Sequence, residues 1–152
     1  MFLRGVILAG GIRIIVEGGD GGREMCNIVT GDSQINSVVL PDLESVIARL
    51  ISLGKTYFQV QASNWEYLEV LVSGARCIVI YVRHGEDYLA LNASKAERVS
   101  RERVELRTSE SVTVVPASMC LEQDTMIEVV KKFCADGALS NLVYWLVDEP
   151  SQ

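Results

Sequence analysis

The sequence is poor in the residues that build catalytic and metal centres. Its 152 residues include one histidine, His84, and four cysteines, with no Cys-x-x-Cys pair among them. A zinc site needs several such ligands at short spacing, and a catalytic histidine needs a nucleophile beside it. The glycine-rich run at 18–22 lacks the Lys-Ser/Thr pair of a nucleotide-binding P-loop. We therefore expect no catalytic residue, no metal and no cofactor, and we interpret His84 as a surface residue.

Positive charge is also scarce. Fourteen lysines and arginines stand against twenty aspartates and glutamates, which gives a formal net charge of −6 at pH 7. Nucleic acids and anionic membranes attract positive proteins, so this composition disfavours both as partners. Residues 93–107 are rich in arginine but carry no aromatic side chain on which a base could stack, and they are predicted to form a solvated loop leading into a strand. A basic protein is the partner that the charge favours.

Long apolar runs are absent as well. No stretch reaches the roughly 18–20 apolar residues that cross a bilayer. Arg4 interrupts the apolar N-terminus, and no cleavage motif follows it, so we expect a strand there and not a signal peptide. Cys77 and Cys134 lie in apolar patterns and are expected in the core of a protein from a reducing compartment. We predict one cytoplasmic domain spanning residues 1–152.

The C-terminal part of the chain is predicted to alternate strand, helix and strand. The β-branched run that begins at Val112 ends at Pro116, which cannot continue a ladder. A helical period follows over Glu122–Asp136, and Gly137 stands where a left-handed C-cap is favoured. The apolar run Leu142–Val147 indicates a strand buried on both faces or nearly so. The helix should then lie across the sheet that this strand joins.

The upstream pattern completes the predicted fold. An amphipathic helix is expected over Pro41–Leu53, with Gly54 as its C-cap. Connections of two to five residues separate the next four strands, and such short connections require an antiparallel meander. These strands are expected at 56–62, 67–72, 76–82 and 88–92, after a hairpin at 3–16 and a short strand at 25–30. We predict an α+β fold, in which a mainly antiparallel β-sheet carries two amphipathic helices packed on one face.

The C-terminal stretch resembles a known family. The likeness lies in Val114-Val115-Pro116, the helical pattern Met126-Ile127-x-x-Val130-x-x-Phe133, Gly137 and a strand with Trp145 near an acidic tail. These features are similar to the C-terminal signature of the bacterial immunity-protein family called immunity protein one, from polymorphic-toxin systems. The upstream helix and strands are similar too, so the resemblance covers roughly Ser37–Glu149. Residues 1–36 fall outside it, and residues 138–141 stand where the family more often has a proline.

The resemblance implies an antidote and not an enzyme. Such proteins bind a cognate secreted toxin domain in the producing cell and block its active site or substrate path. The toxins are frequently nucleases or nucleic-acid deaminases, whose basic grooves suit an acidic inhibitor. From charge and turn position we hypothesise that Glu66, Glu86 and Asp87 contribute to the partner-binding surface.

Two questions stay open at this level. The alternative function is an acidic secretion chaperone or another small protein-binding module, which would also lack catalytic residues. A chaperone typically dimerises, so monomer and homodimer both remain possible states.

Trp65 and Trp145 are expected to pack in or beside the core, although either would serve as an interface anchor if exposed.

Overall fold

A computed structural model describes residues 3–7, 13–16, 25–63, 66–92, 102–108 and 111–148. The helices are α1 Leu40–Ser52 and α2 Gln123–Asp136, and a 3-10 turn spans Ala117–Met119. The strands are β1 Leu3–Ile7, β2 Arg13–Val16, β3 Met25–Val29, β4 Gln34–Val39, β5 Tyr57–Ser63, β6 Glu66–Ser73, β7 Arg76–Arg83, β8 Glu86–Asn92, β9 Arg103–Arg107, β10 Val112–Pro116, β11 Leu121–Glu122 and β12 Val143–Asp148. The predictions for the glycine-rich run at 18–22, for Trp65 and for residues 93–101 fall outside these ranges.

The main sheet has eight antiparallel strands in the order β12-β8-β7-β6-β5-β3-β4, with β11 pairing to the first residues of β7. Strands β5 to β8 are successive neighbours, which confirms the predicted meander. The β6–β7 and β7–β8 hairpins use positive φ angles in their turns: Gly74 has φ 61°, and His84 and Gly85 have φ 51° and 83°. Such angles match the twist of the flanking strands and so fix the register of the hairpins.

Both helices pack on one face of this sheet, as predicted. Leu43 and Ile47 of α1 and Met126 and Phe133 of α2 are fully or almost fully buried there, against apolar residues of β3, β5, β6 and β7. Helix α2 ends where the sequence indicated, because Gly137 adopts the left-handed conformation at φ 75° and donates its N–H to the Phe133 carbonyl at 2.8 Å. This helix face holds the main hydrophobic core.

The opposite face carries a smaller core. Strands β9 and β10 form a separate two-stranded ribbon. Leu106 and Val115 of the ribbon are buried against Ile78 of β7 and Leu91 of β8, together with Met119. Strand β7 is therefore covered on both faces.

The structure corrects one expectation about the edges of the sheet and adds a strand that was not predicted. Strand β12 was expected to be buried on both faces, but it is an edge strand among the described residues, with Tyr144 and Val147 51% and 44% exposed. An apolar run records hydrophobicity and not the number of neighbouring strands, which explains the error. At the other edge lies β4, which the sequence did not predict because Gln34–Val39 shows no clear alternation.

Candidate partner-binding surface

The three acidic residues predicted to bind a partner lie together at one end of the main sheet. Glu66 opens β6 opposite Arg83, and Arg83 in turn lies opposite Glu86, the first residue of β8. In the next row, Asp87 lies opposite Asp148 at the end of β12. We call Glu66, Glu86, Asp87 and Asp148 the acidic end. Its members come from β6, β8 and β12, whose registers align them at the same end of the sheet, with β7 between β6 and β8.

On the helix face, the acidic end is supported by aromatic rings. The Tyr81 hydroxyl donates a hydrogen bond to Glu66 Oε2 at 2.5 Å, and the Tyr88 hydroxyl donates to Glu86 Oε1 at 3.3 Å. The Tyr81 ring lies 5.4 Å from Tyr88 and 6.3 Å from Trp145, measured between centroids. Burial, followed by the contact with Glu66, raises the pKa of Tyr81. These rings hold two carboxylates at the rim of the core.

On the other face, like charges meet. Asp87 and Asp148 are directly opposite each other, and within the described residues neither forms an ion pair. The pKa of Tyr67 is raised, first by burial and then by the negative charges of Glu69 and Asp87. The carboxylates at this end of the sheet thus disfavour ionisation of the neighbouring Tyr67 phenol. The same carboxylates would attract a cationic group from outside the chain.

A polar network on β5 lies on the same face as Asp87 and Tyr67, opposite the helices. Gln61 Nε2 donates to Gln59 Oε1 at 2.6 Å, Gln59 Nε2 donates to the Tyr57 hydroxyl at 2.7 Å, and that hydroxyl donates to Glu69 Oε2 at 2.7 Å. Burial is the main reason that the pKa of Tyr57 is raised. The alternation of Tyr57, Gln59 and Gln61 along one strand signals such a polar face, but sequence reasoning did not use it. The network holds the Glu69 carboxylate against the Tyr57 hydroxyl.

The described residues do not assemble a metal site. Across them, no three His, Cys, Asp or Glu side chains are grouped so as to hold an ion. His84 is exposed at the β7–β8 turn, whereas Cys77 and Cys134 are buried in the core, as predicted for all three. Among their described lining residues, a cleft of about 520 Å³ near Asp32 and Lys55 and a groove of about 550 Å³ between α1 and α2 include neither histidine nor cysteine.

Trp145 takes the rim position expected of it. It is partly buried at the edge of the core, and its indole N–H donates to the Ser140 carbonyl at 2.9 Å. This bond ties β12 to the segment that follows α2. In the part of the chain that the structure describes, no helix has the length and apolar character needed to span a membrane.

Comparison with known proteins shows the family. The model of the family described as Immunity protein Imm1 matches residues 40–146, from the start of α1 to β12. The chain therefore belongs to this family, whose members are immunity proteins directed against toxins. No curated protein matches the chain. The matched region contains Glu66, Glu86 and Asp87, and it excludes β1 to β4, so the resemblance noted from the sequence is confirmed over most of its predicted extent.

Proposed function

We propose that this protein binds the secreted toxin domain encoded beside it and neutralises that domain by covering its active site. The acidic end is proposed as part of the contact surface. The observation that carries this proposal is the convergence of Glu66, Glu86, Asp87 and Asp148 at one end of the sheet in an immunity-family chain.

The charge arrangement supports a basic partner. Asp87 and Asp148 repel each other across two strands, and directly opposed like charges are destabilising in a sheet. A cation supplied by the partner would relieve that repulsion and would also accelerate encounter. Toxins that act on nucleic acid have positively charged grooves, so a nuclease or a nucleic-acid deaminase is the proposed target class. Protection would take place in the cytoplasm of the producing cell.

Aromatic residues supply the other requirement of a tight interface. Tyr88 and Trp145 are partly exposed beside the acidic end, and exposed Val147 lies opposite Tyr88. Interfaces derive most of their affinity from a few desolvated aromatic and apolar anchors, while surrounding charges set the encounter rate and specificity. The protein would act by occupation alone, with no catalytic residue and no cofactor of its own.

Co-purification tests the proposal. The domain encoded by the adjacent upstream reading frame, produced in a catalytically inactive form, should bind this protein, and the active form should lose activity on nucleic acid when the protein is added. The Asp87→Lys variant should bind at least about tenfold more weakly. Glu122→Lys makes the same charge change near Arg76, at the other end of β7 from Arg83, and should bind normally.

Three results separate the possible outcomes. Absence of binding by the unmodified protein would remove the proposed function. Equal loss of binding in Asp87→Lys and Glu122→Lys would show that net charge matters and that the acidic end does not. A stable homodimer that binds an unfolded secreted client, with no effect on toxin activity, would favour the chaperone alternative.

A further inference from the structure

We propose that the open edge of β12 receives an extended, basic segment of the cognate toxin as an additional strand of the main sheet. This inference rests on the proposed function and names the mode of contact. It is carried by three features of β12: its regular pairing, its exposed apolar side chains and the charge at its end.

The first feature is an edge without protection. Strand β12 pairs with β8 from Val143–Asn92 to Asp148–Asp87 without any register shift, and none of the other described strands pairs with its outer side. Soluble proteins usually guard such edges with lysine, proline or a bulge. The β12 sequence VYWLVD contains neither lysine nor proline. As far as the described strands are concerned, its outer row of backbone groups is therefore available to another strand.

The opposite edge of the same sheet is different. Strand β4 pairs with β3 through a register shift, and Ser37 within it has a left-handed φ of 55°. Strand β2 also lies against β4. These irregularities prevent the continuous pairing that an added strand requires. Strand β12 thus offers the continuous backbone pairing on which strand addition depends, whereas β4 does not.

The second feature is the exposure of apolar side chains along β12. Tyr144 and Val147 are 51% and 44% exposed, and Leu142, just before the strand, is 52% exposed. Tyr144 projects from the ribbon face and Val147 from the helix face, because successive residues of a strand alternate. An added strand would flank these side chains on both faces. Backbone pairing supplies affinity in this mode of recognition, and side-chain contacts supply specificity.

The third feature, charge, identifies the occupant. The edge ends at Asp148, which lies opposite Asp87 and one row from Glu86. A segment laid along β12 therefore meets carboxylates at that end, and lysine or arginine there would satisfy them. A second copy of this chain suits the edge poorly, since each copy carries a net charge of −6 and the two copies would repel each other.

Hydrogen exchange and matched charge variants test the inference. The probe is the catalytically inactive toxin domain encoded by the adjacent upstream frame. Binding should slow amide exchange at alternate residues within 143–148 by at least about tenfold, because their outward N–H groups become hydrogen-bonded. Val147→Lys should weaken binding about tenfold more than Val147→Glu, because both variants lose the apolar contact of Val147 and only lysine adds a charge that repels a basic segment. Leu53→Lys, at an exposed residue that follows α1 and lies beside the β3–β4 turn, should bind normally.

The outcomes distinguish this inference from the proposed function. Tight binding without slowed exchange in β12 would overturn strand addition and leave the immunity function in place. Equal weakening by Val147→Lys and Val147→Glu would overturn the basic occupant. Self-association that slows β12 exchange without toxin would assign the edge to a second copy and overturn the inference. Absence of toxin binding by the unmodified protein would remove the proposed function, and the inference with it.

Discussion

The Tyr81 hydroxyl donates a 2.5 Å hydrogen bond to the Glu66 carboxylate across the β6–β7 pair. The Tyr81 ring belongs to the main core and meets Phe133 of α2 edge to face, with 6.0 Å between centroids. A core side chain thus reaches the end of the sheet and positions a surface acid. This relationship links the packing of α2 to the proposed partner-binding surface.

Removing that hydroxyl is expected to weaken the fold modestly. Tyr81→Phe should lower the free energy of unfolding by about 1 kcal/mol, because the ring still packs while the hydrogen bond is lost. Urea denaturation measures the change. Tyr144→Phe is the matched control, since Tyr144 is exposed on β12, and it should leave stability unchanged. Equal effects of the two variants would contradict the role assigned to the Tyr81–Glu66 bond.

Neutralising one member of the Asp87–Asp148 pair should stabilise the free protein. Asp148→Asn removes the repulsion between opposed carboxylates and is expected to raise the free energy of unfolding by about 0.3 kcal/mol. The gain should shrink at high salt, where exposed charges are screened. Thermal unfolding at low and high ionic strength measures the gain in stability. Glu122→Gln, which neutralises an acid at the other end of the sheet, is the control variant. A loss of stability in Asp148→Asn would show that Asp148 has a stabilising partner.

Stability is expected to decline as pH rises above about 9. Burial raises the pKa of the Cys77 thiol from the ordinary 9.0 to about 12. Because the folded state keeps this thiol neutral while the unfolded chain ionises it, its contribution is complete below pH 9 and is lost as pH rises towards 12. Cys26 adds to the same trend, since its contact with Cys134 and its burial both raise its pKa.

Urea denaturation under reducing conditions at a series of alkaline pH values measures this decline. The Cys77→Ala variant lacks one of the titrating thiols, so its stability should fall less steeply with pH, whatever its stability at neutral pH. A slope that is unchanged in this variant would show that Cys77 ionises normally in the folded protein.

Shortening Leu106 should loosen the β9–β10 ribbon. Leu106 is 1% exposed and packs in the smaller core, so Leu106→Ala should cost about 3 kcal/mol. Hydrogen exchange should increase most in residues 103–116, and the loss should register in chemical denaturation. Val114→Ala is the control in the same ribbon, because Val114 is 59% exposed and its truncation should change stability by less than about 0.5 kcal/mol. Uniform exchange across the whole chain would indicate that the ribbon is not a separate unit.

Much of the fold was predictable because local periods are strong in this chain. Leu43, Ile47 and Leu50 mark the buried stripe of α1, and Gly137 marks the end of α2, so both helices were placed within a residue of their observed ends. Short connections between successive apolar strands left the meander as the only reasonable topology. The candidate acids were predicted individually from charge and turn position, but their side-by-side placement required the hairpin registers.

The sequence by itself determined the helices, the meander, the buried cysteines and the acidic balance, because each depends on spacing or composition along the chain. Tertiary structure decided which strands form the edges, that β9 and β10 leave the main sheet, and that Asp148 meets Asp87. Pairing between distant strands is set by which surfaces bury one another, and a local pattern carries no record of its neighbour. The apolar run of β12 shows the difference: its hydrophobicity is written in its residues, whereas its position at the open edge is a property of the assembled sheet.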